Sequence, residues 1–323
     1  MNGPLERGLW WSVVGRPWPL DEQAIKNCLL QVLAFSPDGQ PHIVGSAVII
    51  AAGEGGVALA LSARHVLEQA GRIQRPHSKH APSALAEFLP RTLPSIRSED
   101  LRMAWMGADH GTMLRVVHAS FADHDTMVYT LIPQDDIERA RFKPSVLPLD
   151  LSIPKIGDQV CIFTQLGMDE MHSYLYHGER WGFTLHRKAE MFTGVVTHVG
   201  LRGHRQHKSA CFTISVPTLA GMSGSPVYIV PKTGPIGVCG VVSTDFSSDY
   251  EDGMTCGESV ITCAWLSLAI PIPEELREGT GEMTIYDFMK RGLMPRAMGD
   301  FESFWVEKIG AGYRIHVPPT HSG

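Results

Sequence analysis

The sequence predicts an all-β protein made of two β halves, a sandwich or barrels, followed by a short α-containing extension. Three observations predict it. Short apolar runs recur with turn signals between them, and no alternating strand–helix pattern appears. Gly 32 and Pro 22 suit a turn-rich, strand-rich chain better than a helical one. A proline-punctuated stretch, RFKPSVLPLDLSIPKIGD, divides the runs into two groups and makes a poor strand itself. With 323 residues, 44% of them hydrophobic, the chain can bury one large core or two smaller ones.

Taken in order, residues 1–26 form an N-terminal arm whose Trp10, Trp11 and Trp18 are expected to anchor it by packing. The arm lacks a basic start, apolar core and small-residue cleavage site, so no secretory signal is expected. The first β half spans 27–145. CLLQVLAF, IVGSAVII and VALALSA read as strands, broken by SPDGQP and AGEGG, whose Pro, Asp and Gly suit chain reversals. RHVLEQA reads as a short amphipathic turn opened by His65. From Gly71 to Asp100 an insertion with Arg72, Arg75, Lys79, Arg91, Arg97 and four prolines reads as an irregular surface loop. LRMAWMG, TMLRVVHA and TMVYTLI complete this half.

The second half spans 146–273. Its strands are DQVCIFTQLG, AEMFTGVVTHVG, ACFTISV, PVYIV, IGVCGVVST and ESVITCAWLSLAIPI. The extension, 274–323, follows a change of texture: PEELREG and TIYDFMKRGL look helical, and SFWVEKIGAGYRIHV looks like a hairpin.

Composition narrows the function. A net charge of −6 gives no support to nucleic-acid binding, and no apolar run of about 18 residues suggests a membrane span. Six scattered cysteines, several inside apolar strands, read as buried free thiols in a reduced compartment, which points to the cytoplasm. Cys256 and Cys263 are the one close pair, and a bridge between them is not the expected state. HSKH (His77, His80) and HRQH (His204, His207) have ligand-like spacing but no carboxylate or cysteine partner. No metal and no cofactor is expected.

The stretch TLAGMSGSPVYIV, residues 218–230, carries the chemistry. It is either a tight turn before a strand or the surround of a nucleophilic Ser223. A serine hydroxyl needs a base in hydrogen-bond reach, and the base needs an orienting partner. His65 at the end of a strand and Asp125 just before one could supply them. Asp123 in the same DHD run competes, since both point to the same side of an extended chain. The apolar run begins directly after Asp125, which favours it.

In that order the blocks resemble the trypsin-like (chymotrypsin-fold) serine peptidases: GSAVII…LSARHV, DTMVYTL, GMSGSPV and GVVSTD, over about residues 27 to 273. The resemblance implies two six-stranded antiparallel β-barrels. It implies His65 as general base, Asp125 as orienting carboxylate and Ser223 as nucleophile, with the N–H groups of Gly221 and Ser223 as oxyanion hole. It also implies a primary substrate pocket walled by Pro217, Thr218, Val242, Ser243, Thr244 and Asp245. Asp245 at the pocket mouth and Asp249, Glu251 and Asp252 after it in sequence suggest a modest, salt-sensitive preference for basic residues.

Departures from the pattern are informative. Met222 replaces an acid that holds a new N-terminus in secreted members, Arg64 replaces a small residue before the histidine, Met127 replaces an alanine, and Ser225 replaces a glycine. The expected function is therefore a serine endopeptidase acting on a protein or peptide substrate through an acyl-enzyme. Control by a regulatory protein partner is expected in place of pro-segment cleavage. The alternative is an inactive peptidase-like module used for binding or scaffolding.

Overall fold

The computed structural model describes residues 27–74, 100–107, 111–165, 172–176, 180–184, 189–205, 207–219, 221–230, 236–245, 258–272, 283–310 and 312–317. The first six strands are β1 (Leu29–Phe35), β2 (Pro41–Ala52), β3 (Ala58–Ser62), β4 (Leu101–Met106), β5 (Gly111–Phe121) and β6 (Met127–Pro133). They close into an antiparallel barrel in the order β1-β2-β3-β6-β5-β4. The next are β7 (Gln159–Gln165), β8 (His172–Tyr176), β9 (Arg180–Thr184), β10 (Ala189–Gly200), β11 (Cys211–Ile214), β12 (Pro226–Ile229), β13 (Gly240–Asp245) and β14 (Ser259–Cys263). Of these, six close a second barrel in the order β10-β11-β14-β13-β12-β7. The protein thus has the all-β, two-barrel trypsin-like architecture that the sequence led us to expect.

Apolar patterning explains the closure. Along β5, Thr112, Leu114 and Val116 point inward while Arg115 and Val117 face out, the period of two that a half-buried strand requires. β3, flanked by β2 and β6 in the closed barrel, is buried along its whole length. Closing six strands needs sharp local curvature. Register shifts supply it at Val32/Leu33 of β1, Ile49/Ala51 of β2, Val116/His118 of β5, Val196/His198 of β10 and Val242/Thr244 of β13.

The proline-rich stretch after β6 has no strand of its own and stitches the barrels together. Helix α1 spans Arg64–Gln74 and α2 spans Asp136–Arg141. Past α2, Phe142 packs edge-on against Trp105 at 5.2 Å, and the Trp105 indole donates to the Asn27 carbonyl. Leu147 N–H then bonds Ile49 of the first barrel, and Asp150 N–H bonds Val238 ahead of β13.

In the extension, β15 (Pro271–Ile272) pairs with β16 (Met283–Thr284), and α3 (Ile285–Lys290) carries a Thr284/Asp287 capping box. The expected final hairpin is present as β17 (Trp305–Ile309) and β18 (Gly312–His316).

Three expectations need correction. AWLSLA does not continue the strand before it; Ala264–Ala269 is a 3-10 segment. The Ser267 hydroxyl turns back onto the Ala264 carbonyl and Ile270 N–H onto the Ser267 carbonyl, so the run tightens instead of extending. The supposed loop from Gly71 is helical as far as Gln74, because Ala70 and Gly71 belong to the buried face of α1. The β8–β9 hairpin was not foreseen, since HSYLY and RWGFT mix polar and apolar residues without a clear period. The tryptophan arm, residues 75–99, PEELREG, Cys256, His77 and His80 lie outside the described residues.

Cys28, Cys161, Cys211, Cys239 and Cys263 are free and buried. Burial pushes the Cys161 thiol up to about 12 and Cys211 up to about 11, and raises Cys239 and Cys263 further. In a Cys256→Ser variant, a thiol reagent should modify native protein on the order of 10³-fold more slowly than unfolded protein, because reaction waits on opening. Fast labelling of any one thiol in the native state, counted by mass, would contradict this core.

Candidate active site

Helix α1 starts directly after β3, so His65 stands in its first turn at the mouth of the first barrel. Val66, Leu67 and Ala70 of the same helix are buried, which fixes its rotation. Asp125 lies in the turn between β5 and β6. Its Oδ1 accepts the His65 backbone N–H at 2.9 Å, and its Oδ2 lies 2.9 Å from His65 Nδ1. The Ser243 hydroxyl donates to the same Oδ2.

The structure therefore brings Asp125, and not the exposed Asp123, onto His65. Burial alone would raise the Asp125 carboxyl, but the facing His65 and its donors outweigh that and hold it at about 2. For His65, burial disfavours the charged ring, and the Asp125 carboxylate overcomes this, so its pKa lies above the usual value. His124, in the same turn, has Nδ1 2.6 Å from Thr126 Oγ1, and burial pushes it down to about 4.

Ser223 comes from the other barrel, in the turn that leads into β12. Its carbonyl accepts Ser46 N–H of β2 at 2.7 Å, and the Ser46 hydroxyl donates to the Gly221 carbonyl at 3.1 Å. Ser46's own carbonyl accepts the Ser62 hydroxyl at 2.7 Å. Gly224 N–H bonds Val242 in β13, and Ser225 N–H closes back on Met222.

The two glycines are dictated by backbone. Gly221 has φ 89° and Gly224 φ 78°, a region side chains disfavour. A Cβ on Gly224 would also lie 2.2 Å from the Ser46 carbonyl oxygen and 2.3 Å from the Ser62 hydroxyl. Across the seam, a Cβ on Gly45 would meet both Ser223 O and Val66 Cγ2 at 2.7 Å. The serine turn and the residue after His65 thus converge on one glycine.

Between Gly221 and Ser223 the Met222 side chain turns inward, fully buried, with its sulfur taking the Leu219 N–H at 3.2 Å. The N–H groups of Gly221 and Ser223 donate to no acceptor among the described residues. No hydrogen bond joins the Ser223 hydroxyl to His65.

The expected pocket residues divide. Thr218 donates to the Ser259 hydroxyl at 2.7 Å, and Ser259 donates to the Val216 carbonyl at 2.6 Å. Pro217 precedes them, half-buried, and Val242 is buried in β13. Ser243, expected on the pocket wall, directs its hydroxyl to Asp125. The reason is the β13 bulge: Val242 pairs with Ile261 and Thr244 with Val260, so Ser243 is the unpaired extra residue and its side chain is re-aimed. Thr244 and Asp245 continue β13 beside Val260 and Ser259. Asp249, Glu251 and Asp252 lie outside the described residues.

His204 and His207 exchange backbone hydrogen bonds across a tight turn, the His204 ring lies on His198 at 4.1 Å, and His207 Nε2 meets Thr262 Oγ1 at 3.2 Å. No group of three or more His, Cys, Asp or Glu among the described residues could hold a metal ion. No described helix is long and apolar enough to cross a membrane.

Ser46 and Ser62 escaped sequence reasoning. The one available signal was the Gly45-Ser46 pair inside an apolar strand, where a glycine often marks close backbone approach.

No family model matches the chain, and no curated protein matches it. Among solved structures it is similar to one described as the protease Anisep from Arthrobacter nicotinovorans. The identity is 12%, the match covers 75% of this chain and 91% of that one, and the TM-score is 0.43.

Two outcomes follow from this geometry. Gly224→Ala should cost about 2–5 kcal/mol of stability, combining left-handed strain with a clash against backbone, measured by denaturant unfolding. A loss under about 0.5 kcal/mol would mean that the turn relaxes freely. The second concerns charge. In the wild type the His65 ring should titrate above pH 6.5, so the stability gained from this pairing is complete below pH 6.5 and fades as pH rises through the folded pKa. Asp125→Asn removes the raising partner and leaves burial, so the midpoint should fall below 6.5 by ring-proton NMR. A midpoint that stays put would show that Asp125 does not set it.

Proposed function

We propose that the chain is a serine endopeptidase that cleaves peptide bonds through an acyl-enzyme on Ser223. One observation carries this reading. His65 bonds Asp125 through Nδ1 at 2.9 Å, which leaves Nε2 as the ring's acceptor, and the Ser223 turn is bonded to β2 beside that ring.

In this reading the Asp125 carboxylate fixes the tautomer with the proton on Nδ1 and stabilises the imidazolium that forms. As Ser223 Oγ attacks the scissile carbonyl, its proton passes to His65 Nε2. The carbonyl π electrons move to oxygen, and the oxyanion is held by the N–H groups of Gly221 and Ser223, which have no acceptor among the described residues. Collapse breaks the C–N bond, and the imidazolium gives its proton to the leaving amine. Water, deprotonated by His65, then hydrolyses the acyl-serine and the hydroxyl is restored.

The absent Ser223–His65 hydrogen bond favours a second reading, a peptidase-like module that binds without turnover. Such bonds often tighten only with substrate in place, which is why catalysis remains the first reading.

One experiment separates them. A serine-reactive phosphonate should label wild-type protein at Ser223, as located by peptide mass. His65→Ala and Ser223→Ala should each lower labelling or turnover by roughly 10³-fold or more while circular dichroism stays unchanged. A wild type that stays unlabelled, or equal turnover in Ser223→Ala, would sink the endopeptidase reading.

A further inference from the structure

Arg64 sits immediately before His65, where the resembling blocks place a small residue. A long cation at that point needs a reason, and the structure provides one. The guanidinium is 15% exposed and reaches across from α1 to the β5–β6 turn. Its central carbon lies 4.7 Å from the centre of the Phe121 ring, and Nη1 donates to the Ala122 carbonyl at 3.4 Å. On its own helix, Nε lies 3.3 Å from Glu68 Oε1, one turn on. Phe121 ends β5, and Ala122 opens the turn that delivers Asp125.

We propose that Arg64 is a positioning residue that clamps the helix carrying His65 to the turn carrying Asp125. It sets the geometry of that pair for the chemistry proposed above, and it touches neither substrate nor reacting atoms.

The argument is one of levers. His65 and Asp125 meet through two hydrogen bonds between a helix start and a loop, whose nearest common tie in the sheet is the Ser62–Met127 end of the β3–β6 pair. A backbone N–H bond and a ring bond to one carboxylate hold only if the loop does not swing. A guanidinium over the Phe121 ring and bonded at Ala122 resists that swing one strand-end away from the acid. The Glu68 ion pair adds attraction from the same helix without a hydrogen bond to Nε.

The charged groups that act most on the His65 ring are Asp125, Glu68 and Arg72, and on Asp125 the His65 ring, with hydrogen bonds from His65 and Ser243. The contacts of Arg64 are instead to Phe121, Ala122 and Glu68, which is why its role is assigned to position.

The test uses the full chain and two readouts. The first needs no activity: the proton NMR signal of the His65 Nδ1 proton shared with Asp125, and its exchange with water. In Arg64→Ala that proton should exchange about tenfold faster, and Phe121→Leu should act in the same direction. Their double variant should be no worse than Arg64→Ala alone, since both remove one clamp. Arg64→Lys should restore part of the protection through the Ala122 carbonyl. The second readout is kinetic, on an ester or peptide substrate: kcat should fall about tenfold in Arg64→Ala with KM within about twofold, because a misplaced base slows chemistry more than binding.

Unchanged proton exchange in Arg64→Ala would overturn the proposal, as would an equal loss in kcat/KM carried by KM alone. Phe121→Leu tests the same clamp if Arg64→Ala proves poorly folded. Failure here is distinct from failure of the endopeptidase reading. A wild type with a protected His65 proton and no acylation would refute only the latter.

Discussion

One backbone hydrogen bond between the barrels organises the site: Ser46 N–H of β2 to the carbonyl of Ser223. It fixes the serine turn of the second barrel against β2, the partner of the strand β3 that leads to α1 in the first. Everything around it accommodates that approach. Gly45 and Gly224 are glycines because any Cβ there would occupy the space where the two backbones meet. The Ser46 hydroxyl adds a second tie at Gly221, and Ser62 satisfies the Ser46 carbonyl. A buried seam leaves its polar groups no water, so a group there must find a protein partner, in its own barrel or the other, or lose more than the contact gains. The position of the serine is therefore a by-product of satisfying a strand, not a separate device.

The acid is built on the same principle. Asp125 takes three donors from two elements: the His65 backbone N–H and ring of α1, and the bulge of β13. Two are on the first barrel and one on the second, so the carboxylate is itself an inter-barrel tie. That explains how it stays ionised although burial opposes it. The same surroundings leave His124, one residue earlier, without a carboxylate bond, and there burial wins. Two neighbouring residues in one turn take opposite electrostatic outcomes because only one of them is aimed at donors.

Legibility in the sequence tracks how local each signal is. The barrel strands were legible from apolar runs and turn residues, since a strand's pattern lies within the strand. Ser223 and the glycines were legible because left-handed turn chemistry is written in consecutive residues. Choosing Asp125 over Asp123 needed one further inference, where the apolar run begins, and the His65 bond falls on Asp125. What stayed hidden was non-local. The bond of Ser243 to Asp125 was not legible because nothing in GVVSTD announces a bulge; the bulge exists only against the pairing of β14. Ser46 is an ordinary serine until a second barrel lies on it. Arg64 was visible as an oddity but meaningless without Phe121, which is 57 positions away in the chain. AWLSLA misled because its apolar content suits a strand and a tight helical turn equally.

The residues that the resemblance places along a substrate pocket add a last constraint. Thr218 donates to Ser259 and Ser259 donates to the Val216 carbonyl, so both hydroxyl protons are used within the protein. Met222, where an acid would sit in secreted members of the resembling family, is sealed in the core with its sulfur on Leu219 N–H. If Thr218 lines such a pocket, it offers an incoming side chain lone pairs and apolar surface, features that separate shapes better than charges. Selection by charge would have to come from the acids at and beyond the end of β13 in sequence, Asp245, Asp249, Glu251 and Asp252. Attraction from such a run weakens with salt where the run is exposed, whereas the fit to a neutral wall does not. The salt dependence of cleavage thus separates the two contributions within a single substrate series.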